Sequence, residues 1–131
     1  ERFGGTARFE TEFTLPAGVK ADDWRLDLGE VRESARVFVN GVEADLVWSL
    51  PMRTKIGSFL KPGKNTLALE VTNLAANRIR DMDKRKVEWK IMREINFVNI
   101  NYKPFDASGW SLTPSGLLGP VTLTPLKALQ P

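Results

Sequence analysis

Ala35-Arg36-Val37-Phe38-Val39-Asn40-Gly41 is the stretch that decides the fold. Ala35, Val37 and Val39 alternate with Arg36 and Phe38, the period-2 pattern of a strand with one buried face. The run then closes on Asn-Gly. A type I′ turn needs positive φ at both central residues, which Asn and Gly tolerate cheaply, so this combination is the strongest short-range hairpin signal in a sequence. Working outward, Trp24, Leu26 and Leu28 alternate with Arg25 and Asp27 on the N-terminal side. Val42, Ala44 and Leu46 carry the return strand on toward Val47 and Trp48.

Further strands add to this nucleus. Ala7, Phe9, Thr11, Phe13 and Leu15 share one face, Arg8, Glu10, Glu12 and Thr14 the other, and Pro16-Ala17-Gly18 closes the strand. Gly29 ends the Trp24 strand, and Glu30–Ser34 reads as a polar connection. After Pro51, the passage Met52–Leu60 reads as irregular, anchored by Ile56, Phe59 and Leu60. The turn Lys61-Pro62-Gly63-Lys64-Asn65 leads into a strand, Thr66–Leu74, with Leu67, Leu69 and Val71 inward. Pro114-Ser115-Gly116-Leu117-Leu118-Gly119-Pro120 reads as a turn-rich approach to a last strand, Val121–Leu126.

Residues 75–113 differ in kind. A charged run from Asn77 to Lys86 precedes Val87, Ile91 and Ile95, whose helical spacing predicts a short helix, and Asn96–Tyr102 alternate again. A connection of this length inside a compact domain is usually functional or faces a partner. Short strands separated by Gly and Pro turns, without a strong crossover helix, predict an all-β jelly-roll β-sandwich, with the long loop as the place for a helix.

Composition narrows the chemistry. With 131 residues, 42% hydrophobic and 27% charged, the chain suits one soluble domain, residues 1–131, able to bury a core without staples. No apolar run reaches the ~20 residues of a transmembrane helix, so no membrane is expected. The net charge of +3 comes from 19 basic and 16 acidic residues, too dilute for nucleic acid. There is no Cys and no His. That removes thiol nucleophiles, Ser-His-Asp triads and the usual Zn, Cu and haem ligands. The start at Glu1, with a strand beginning almost at once, reads as a domain excised from a larger enzyme.

Candidate sites follow from what remains. Glu10 and Glu12 on one strand face would lie ~6.5 Å apart, a glycosidase-like separation. Their neighbours Arg8 and Thr14 make a solvated outer face the stronger reading, and no catalytic residue is assigned. Asp81 and Asp83, with Asn73 or Asn77, offer oxygen ligands for a structural Ca²⁺. The Asp-x-Asp-x-Asp-Gly pattern is absent, which favours a salt-bridged loop and no cofactor. Arg78, Arg80, Lys84, Arg85, Lys86, Lys90 and Arg93, with Trp89 among them, suit a docking or anionic-sugar surface better than a nucleic-acid reader. Trp24 is in phase with the core. Trp48 sits at a strand end where a rim position is plausible, and Trp89 and Trp110 are either satellite-core anchors or exposed platforms. Arg53 and Arg78 suit bidentate bonds to sugar hydroxyls or a uronate, or an interdomain salt bridge. The candidate ligand-binding set is Trp48, Arg53, Asn77, Arg78, Asp81 and Trp110.

These residues also carry a resemblance. Leu26-Asp27-Leu28-Gly29, the Ala35–Gly41 run, Pro51-Met52-Arg53, Leu60–Leu67, Val71-Thr72-Asn73-Leu74, Asn77-Arg78-Ile79 and Pro114–Val121 together resemble the galactose-binding-domain-like sandwich of large bacterial glycoside hydrolases. The chain is similar to the sugar-binding domain of the family 2 enzymes, and most to the C-terminal β-sandwich of family 106 α-L-rhamnosidase-like proteins of Bacteroidetes. It departs from them at Ala75-Ala76, where a second large apolar residue is usual, and at Arg80. The resemblance implies a non-catalytic accessory module of a secreted or periplasmic polysaccharide-degrading enzyme. Its partners would be the catalytic domain of the same parent chain and a carbohydrate, such as a rhamnose- or galactose-containing plant polysaccharide. The alternative is a purely structural docking module with no ligand of its own.

Overall fold

The computed structural model describes residues 2–91 and 98–128. Among these described residues it is mostly β, with one short α-helix and several antiparallel sheets. The strands in chain order are β1 (Thr6–Thr14), β2 (Asp23–Asp27), β3 (Glu30–Arg32), β4 (Ser34–Val39), β5 (Val42–Val47), β6 (Arg53–Lys55), β7 (Lys64–Thr72), β8 (Gly116–Gly119) and β9 (Thr122–Leu126). The helix α1 (Ala76–Lys84) lies between β7 and β8. The chain divides into two compact units. The larger is Thr6–Asn73 with Ser115–Pro131, and the smaller is Glu1–Gly5 with Leu74–Pro114. Among the described residues no helix is long and apolar enough to cross a membrane.

In the larger unit, a four-stranded sheet runs β1-β7-β4-β5, a three-stranded sheet runs β6-β2-β9, and β3 pairs with β8. The expected hairpin is present: Asn40 and Gly41 have φ of 52° and 82°, as a type I′ turn requires. Ala35, Val37, Val39, Leu67, Leu69 and Val71 from one sheet form a single buried cluster with Leu26, Leu28, Val31 and Ile56. Period-2 alternation thus reaches the core from several strands at once. Trp24, Phe59 and Leu60 pack partly buried against the cluster, as their anchoring positions predicted.

Four expectations are corrected. Glu30–Ser34 is not a plain polar connection, because Glu30–Arg32 is β3 and Val31 is 4% exposed. Its partner is Gly116–Gly119, inside the run read as turns. Three-residue pairings carry too little alternation to be seen in a sequence. Leu46 points out, 50% exposed, because the register slips between Val37↔Asp45 and Phe38↔Glu43, leaving Ala44 extra. One inserted residue flips every later side chain to the opposite face. A helix covers Ala76–Lys84, and residues 87–91 of the Val87-Ile91-Ile95 spacing are not helical, with Ile91 96% exposed; Ile95 lies outside the described residues. Of the predicted alternation Asn96–Tyr102, Asn96 and Phe97 are likewise outside them. Val98 bridges Pro104 around a turn in which Tyr102 takes a φ of 57°.

Gly29, at the corner between β2 and β3, has φ +63°, and a Cβ there would lie 2.5 Å from the Gly119 carbonyl carbon. Only glycine fits a left-handed corner that the backbone approaches so closely. The Leu-Gly-Glu and Leu-Gly-Pro runs therefore meet within the larger unit.

Candidate functional site

The smaller unit is built around one carboxylate. Ala76, Arg78, Arg80, Met82 and Lys84 are good helix formers, and Asp81 pairs with Arg85 one turn on at 2.7 Å. The helix ends in a Schellman motif. The Val87 N–H donates to the Met82 carbonyl at 2.9 Å and the Lys86 N–H to that of Asp83 at 3.1 Å. Lys86 occupies the left-handed C′ position at φ 55°, where glycine is the usual residue. This termination turns the chain back so that Asp83 faces the segments that follow it.

Asp83 is 5% exposed at its side chain. Its Oδ1 accepts from Trp89 Nε1 at 2.6 Å and lies 3.3 Å from Lys90 Nζ, while Oδ2 accepts from the Ala107 N–H at 2.8 Å. Burial opposes ionisation of this carboxyl. The Ala107 N–H, the Trp89 indole and Lys90 outweigh it and hold the pKa below the usual carboxylate range. Lys90 is held in turn: its Nζ donates to the Phe105 carbonyl at 2.6 Å and lies 5.4 Å from the ring centroids of both Trp89 and Phe105. Phe105 meets Trp89 and Trp110 edge-on, at 6.1 and 5.6 Å between centroids. Trp89 and Trp110 are thus anchors of a small aromatic cluster, with Trp110 still 44% exposed.

Beside this cluster opens a cleft of about 590 Å³, whose lining includes Lys84, Lys86, Trp89, Lys90, Asp106 and Ser108. Its size lies within the usual range for small-ligand sites. The Asp106 carboxylate caps the Ser108 N–H at 2.8 Å, and that bond draws its pKa down. Sequence reasoning offered Asp83 as a cation ligand or as part of a salt-bridged loop, the reading it favoured, and missed both its role as a hub and the cleft. The sole signal was an indole six residues, and an ammonium seven, beyond an aspartate.

The candidate residues fall in both units. In the larger one, Trp48 follows β5 and is 72% exposed. Arg53 opens β6, its Nε 3.8 Å from Asp27 Oδ2. In the smaller one, Asn77 is buried and spends its amide on Thr113, accepting from the N–H at 2.9 Å and donating to the carbonyl at 2.7 Å. Asp81 is held between Arg85 and Arg2, and the guanidinium of Arg85 lowers its pKa. Arg78 is exposed, its stem against Gly4, where a Cβ would meet the Arg78 Cδ at 3.0 Å. Arg80 Nε donates to the Trp110 carbonyl at 2.6 Å. Arg93 lies outside the described residues. Asp81 and Asp83, the candidate Ca²⁺ ligands, face guanidinium, ammonium and N–H donors. Among the described residues no group of three or more His, Cys, Asp or Glu could hold a metal ion. Glu10 and Glu12 lie on the exposed face of β1, paired with Arg8 at 3.3 Å and Lys64 at 2.8 Å.

Comparison with known proteins adds a class to this geometry. Over nearly its whole length the chain is similar to a short segment of large glycoside hydrolases. A Formosa agariphila protein named "Putative beta-glucuronidase" is 30% identical to it over 142 residues, which take in 95% of this chain and 12% of that protein. The solved rhamnosidase of Novosphingobium sp. PP1Y matches with a TM-score of 0.69 and 31% identity, over 93% of this chain and 11% of that one. The Bacteroides uniformis β-glucuronidase matches 54% of this chain and 9% of its own, at 30% identity and a TM-score of 0.48. The chain therefore spans about a tenth of the length of the proteins it matches. No family model matches it.

Proposed function

We propose that this chain is a non-catalytic, carbohydrate-associated accessory module, a single jelly-roll β-sandwich domain excised from a secreted or periplasmic glycoside hydrolase. It binds a glycan weakly, or completes the cleft of the parent enzyme, while the catalytic carboxylates lie elsewhere in the parent chain. The observation that carries this reading is the open, polar, tryptophan-walled cleft of the smaller unit, in a chain similar to a segment of a rhamnosidase. Sugars exchange water hydrogen bonds for protein ones at little net gain, so millimolar affinity is expected. Within the smaller unit Arg78 and Trp110 are exposed enough to meet a glycan, while Asn77 is spent on Thr113 and Asp81 on Arg2 and Arg85; Trp48 and Arg53 are exposed on the larger unit by themselves. A non-catalytic role is supported by the lack of His and Cys and by the ion-paired, exposed Glu10 and Glu12.

A second reading, a docking module without a ligand, draws on exposed apolar side chains. Trp48 and Leu50 are 72% and 83% exposed on the larger unit, and Ile91 and Ile100 are 96% and 94% exposed on the smaller. NMR titration of the chain with rhamnose- and galactose-containing oligosaccharides separates the two. Shifts clustered at Trp89, Ser108 and their neighbours support the module that binds; none at millimolar sugar leaves the docking module.

A further inference from the structure

We infer that the free edge of β1 is a self-complementary pairing surface, on which two copies of this chain join antiparallel about a two-fold axis at Phe9 and make their four-stranded sheets continuous. The first ground is which edges are guarded. β1 ends the sheet β1-β7-β4-β5 and pairs with β7 from Thr6 to Thr14 without a register shift. Long, regular edges accept another strand, and proteins usually blunt them. The other edges of the two larger sheets are blunted: β5 carries the Ala44 bulge, β6 has three residues, and β9 holds Pro125 opposite Trp24. β1 has neither proline nor bulge, and seven of its nine residues are exposed.

The second ground is hydrogen-bond parity. The Leu15 N–H donates to the Gly63 carbonyl at 3.2 Å, in register with the Thr14↔Lys64 pair, so the odd residues of β1 bond to β7. The Asn40 N–H donates to the Thr66 carbonyl at 2.9 Å, which turns the even residues of β7 toward β4 and agrees with this. The backbone N–H and C=O of Arg8, Glu10 and Glu12 therefore face the free edge, and two copies can exchange hydrogen bonds only through these even residues. Of the antiparallel registers that pair most of the strand, those setting Glu10 opposite Glu10 or Glu12 bring like charges face to face. In the remaining one Phe9 meets Phe9 on the axis, and Arg8 of each copy faces Glu10 of the other, a favourable cross-strand pair. Across β1, β7 and β4 the outer face carries Arg8, Arg36 and Lys64 against Glu10, Glu12 and Glu70, so no net charge drives two copies apart.

The third ground lies under the edge. The inner face of β1 is uncovered: Phe9 is 42% exposed. Phe9 and Phe13, with Leu117, Val121 and Leu123, border two adjoining apolar clefts of about 200 and 230 Å³. A two-fold axis perpendicular to the sheet keeps this face inward in both copies, so each Phe9 covers the other.

The test is sedimentation velocity of the 131-residue chain from about 10 μM to about 1 mM. Monomer should pass to dimer and to no larger species, because a two-fold pair uses up both edges. Over the same range amide exchange at Arg8, Glu10 and Glu12 should slow with concentration, while the odd residues of β1 are protected throughout. Arg8→Glu and Glu10→Arg each set like charges opposite and should weaken the dimer about tenfold; the double variant should restore most of the loss. Arg8 also pairs with Glu70 at 3.0 Å, so melting temperatures in dilute solution are compared alongside. Glu10→Pro removes an N–H that faces the edge and no bond to β7, so it should abolish the dimer with a near-normal melting temperature; the charge variants decide the matter if it does not fold. A chain that stays monomeric at about 1 mM overturns the inference and leaves the edge to a strand of a larger protein containing this domain. A dimer that ignores the charge reversals, a double variant no tighter than the single ones, or growth beyond the dimer overturns it as well, since another surface or register then joins the copies.

Discussion

The side-chain amide of Asn40 donates to Asn65 Oδ1 at 2.8 Å, and this bond joins the Asn40-Gly41 turn to the Lys61–Asn65 turn. Asn40 also donates to the Phe59 carbonyl at 2.9 Å and accepts from the Thr66 N–H at 3.1 Å. Asn65, 1% exposed, accepts from the Lys61 N–H and donates to the Lys61 and Gly63 carbonyls. Each residue looks like simple turn chemistry in the sequence. Together they form a satisfied polar node under the β4–β5 hairpin and beside the start of β7.

Asn65→Ala should therefore destabilise the chain by about 3 kcal/mol, since it leaves several buried backbone groups without partners. Asn40→Gly keeps the positive φ of the hairpin and loses only the side chain, so a smaller loss of about 1–2 kcal/mol is expected. The double variant should cost less than the two together, because the bond between them is lost only once. Urea denaturation of the three variants checks this.

Glycines with the same backbone should differ by their surroundings. Gly18 has φ +81° and nothing within 4 Å of the place a Cβ would take, so Gly18→Ala should cost only the conformational term, about 1 kcal/mol. Gly29→Ala adds overlap with the Gly119 carbonyl and should cost more than about 3 kcal/mol, or prevent folding. Thermal melts of the two variants, side by side, give the contrast.

The smaller unit should respond to acid through Asp83. Its carboxyl binds a proton more weakly in the fold than in the unfolded chain, where it titrates near about 3.9. The stabilisation is thus complete above that value and is lost as the pH falls through the lower folded one. Tryptophan fluorescence followed downward in pH should report release of the Trp89 indole. Asp83→Asn, which leaves Lys90 without its buried counter-charge, should cost about 2 kcal/mol at neutral pH and flatten this transition.

Glu10→Gln with Glu12→Gln should leave both stability and sugar binding almost unchanged, since both carboxylates are 59% exposed at the side chain and pair only at the surface. If the chain hydrolysed an aryl glycoside and this double variant abolished it, catalysis would lie on β1 and the accessory-module reading would be wrong.

How much of this was legible in the sequence depends on the length of the signal. β4 and β7 each repeat one pattern over several residues, and with the Asn40-Gly41 turn they are present in the structure, although β7 runs Lys64–Thr72 where Thr66–Leu74 was expected. β3 and β8 are short, and Gly116–Gly119 carries the residues of a turn. They become strands because Gly29 lets them approach, a condition that lies far away in the chain. In the 75–113 segment the apolar spacing pointed past the helix Ala76–Lys84. What ends that helix is a backbone hydrogen-bond pattern at a lysine, which residue type does not announce.

The sequence by itself determined the β character, the hairpin, the inward faces of β4 and β7 and the absence of imidazole and thiol chemistry, because each follows from local periodicity or from composition. Only the tertiary structure decided that Ala44 is a bulge, that Asn40 meets Asn65, and that Asp83 gathers Trp89, Lys90 and Ala107 beside a cleft. Those outcomes rest on contacts between residues far apart in the chain, or on backbone turns whose direction side-chain identity does not set, and their energies exist only once the chain has closed on itself.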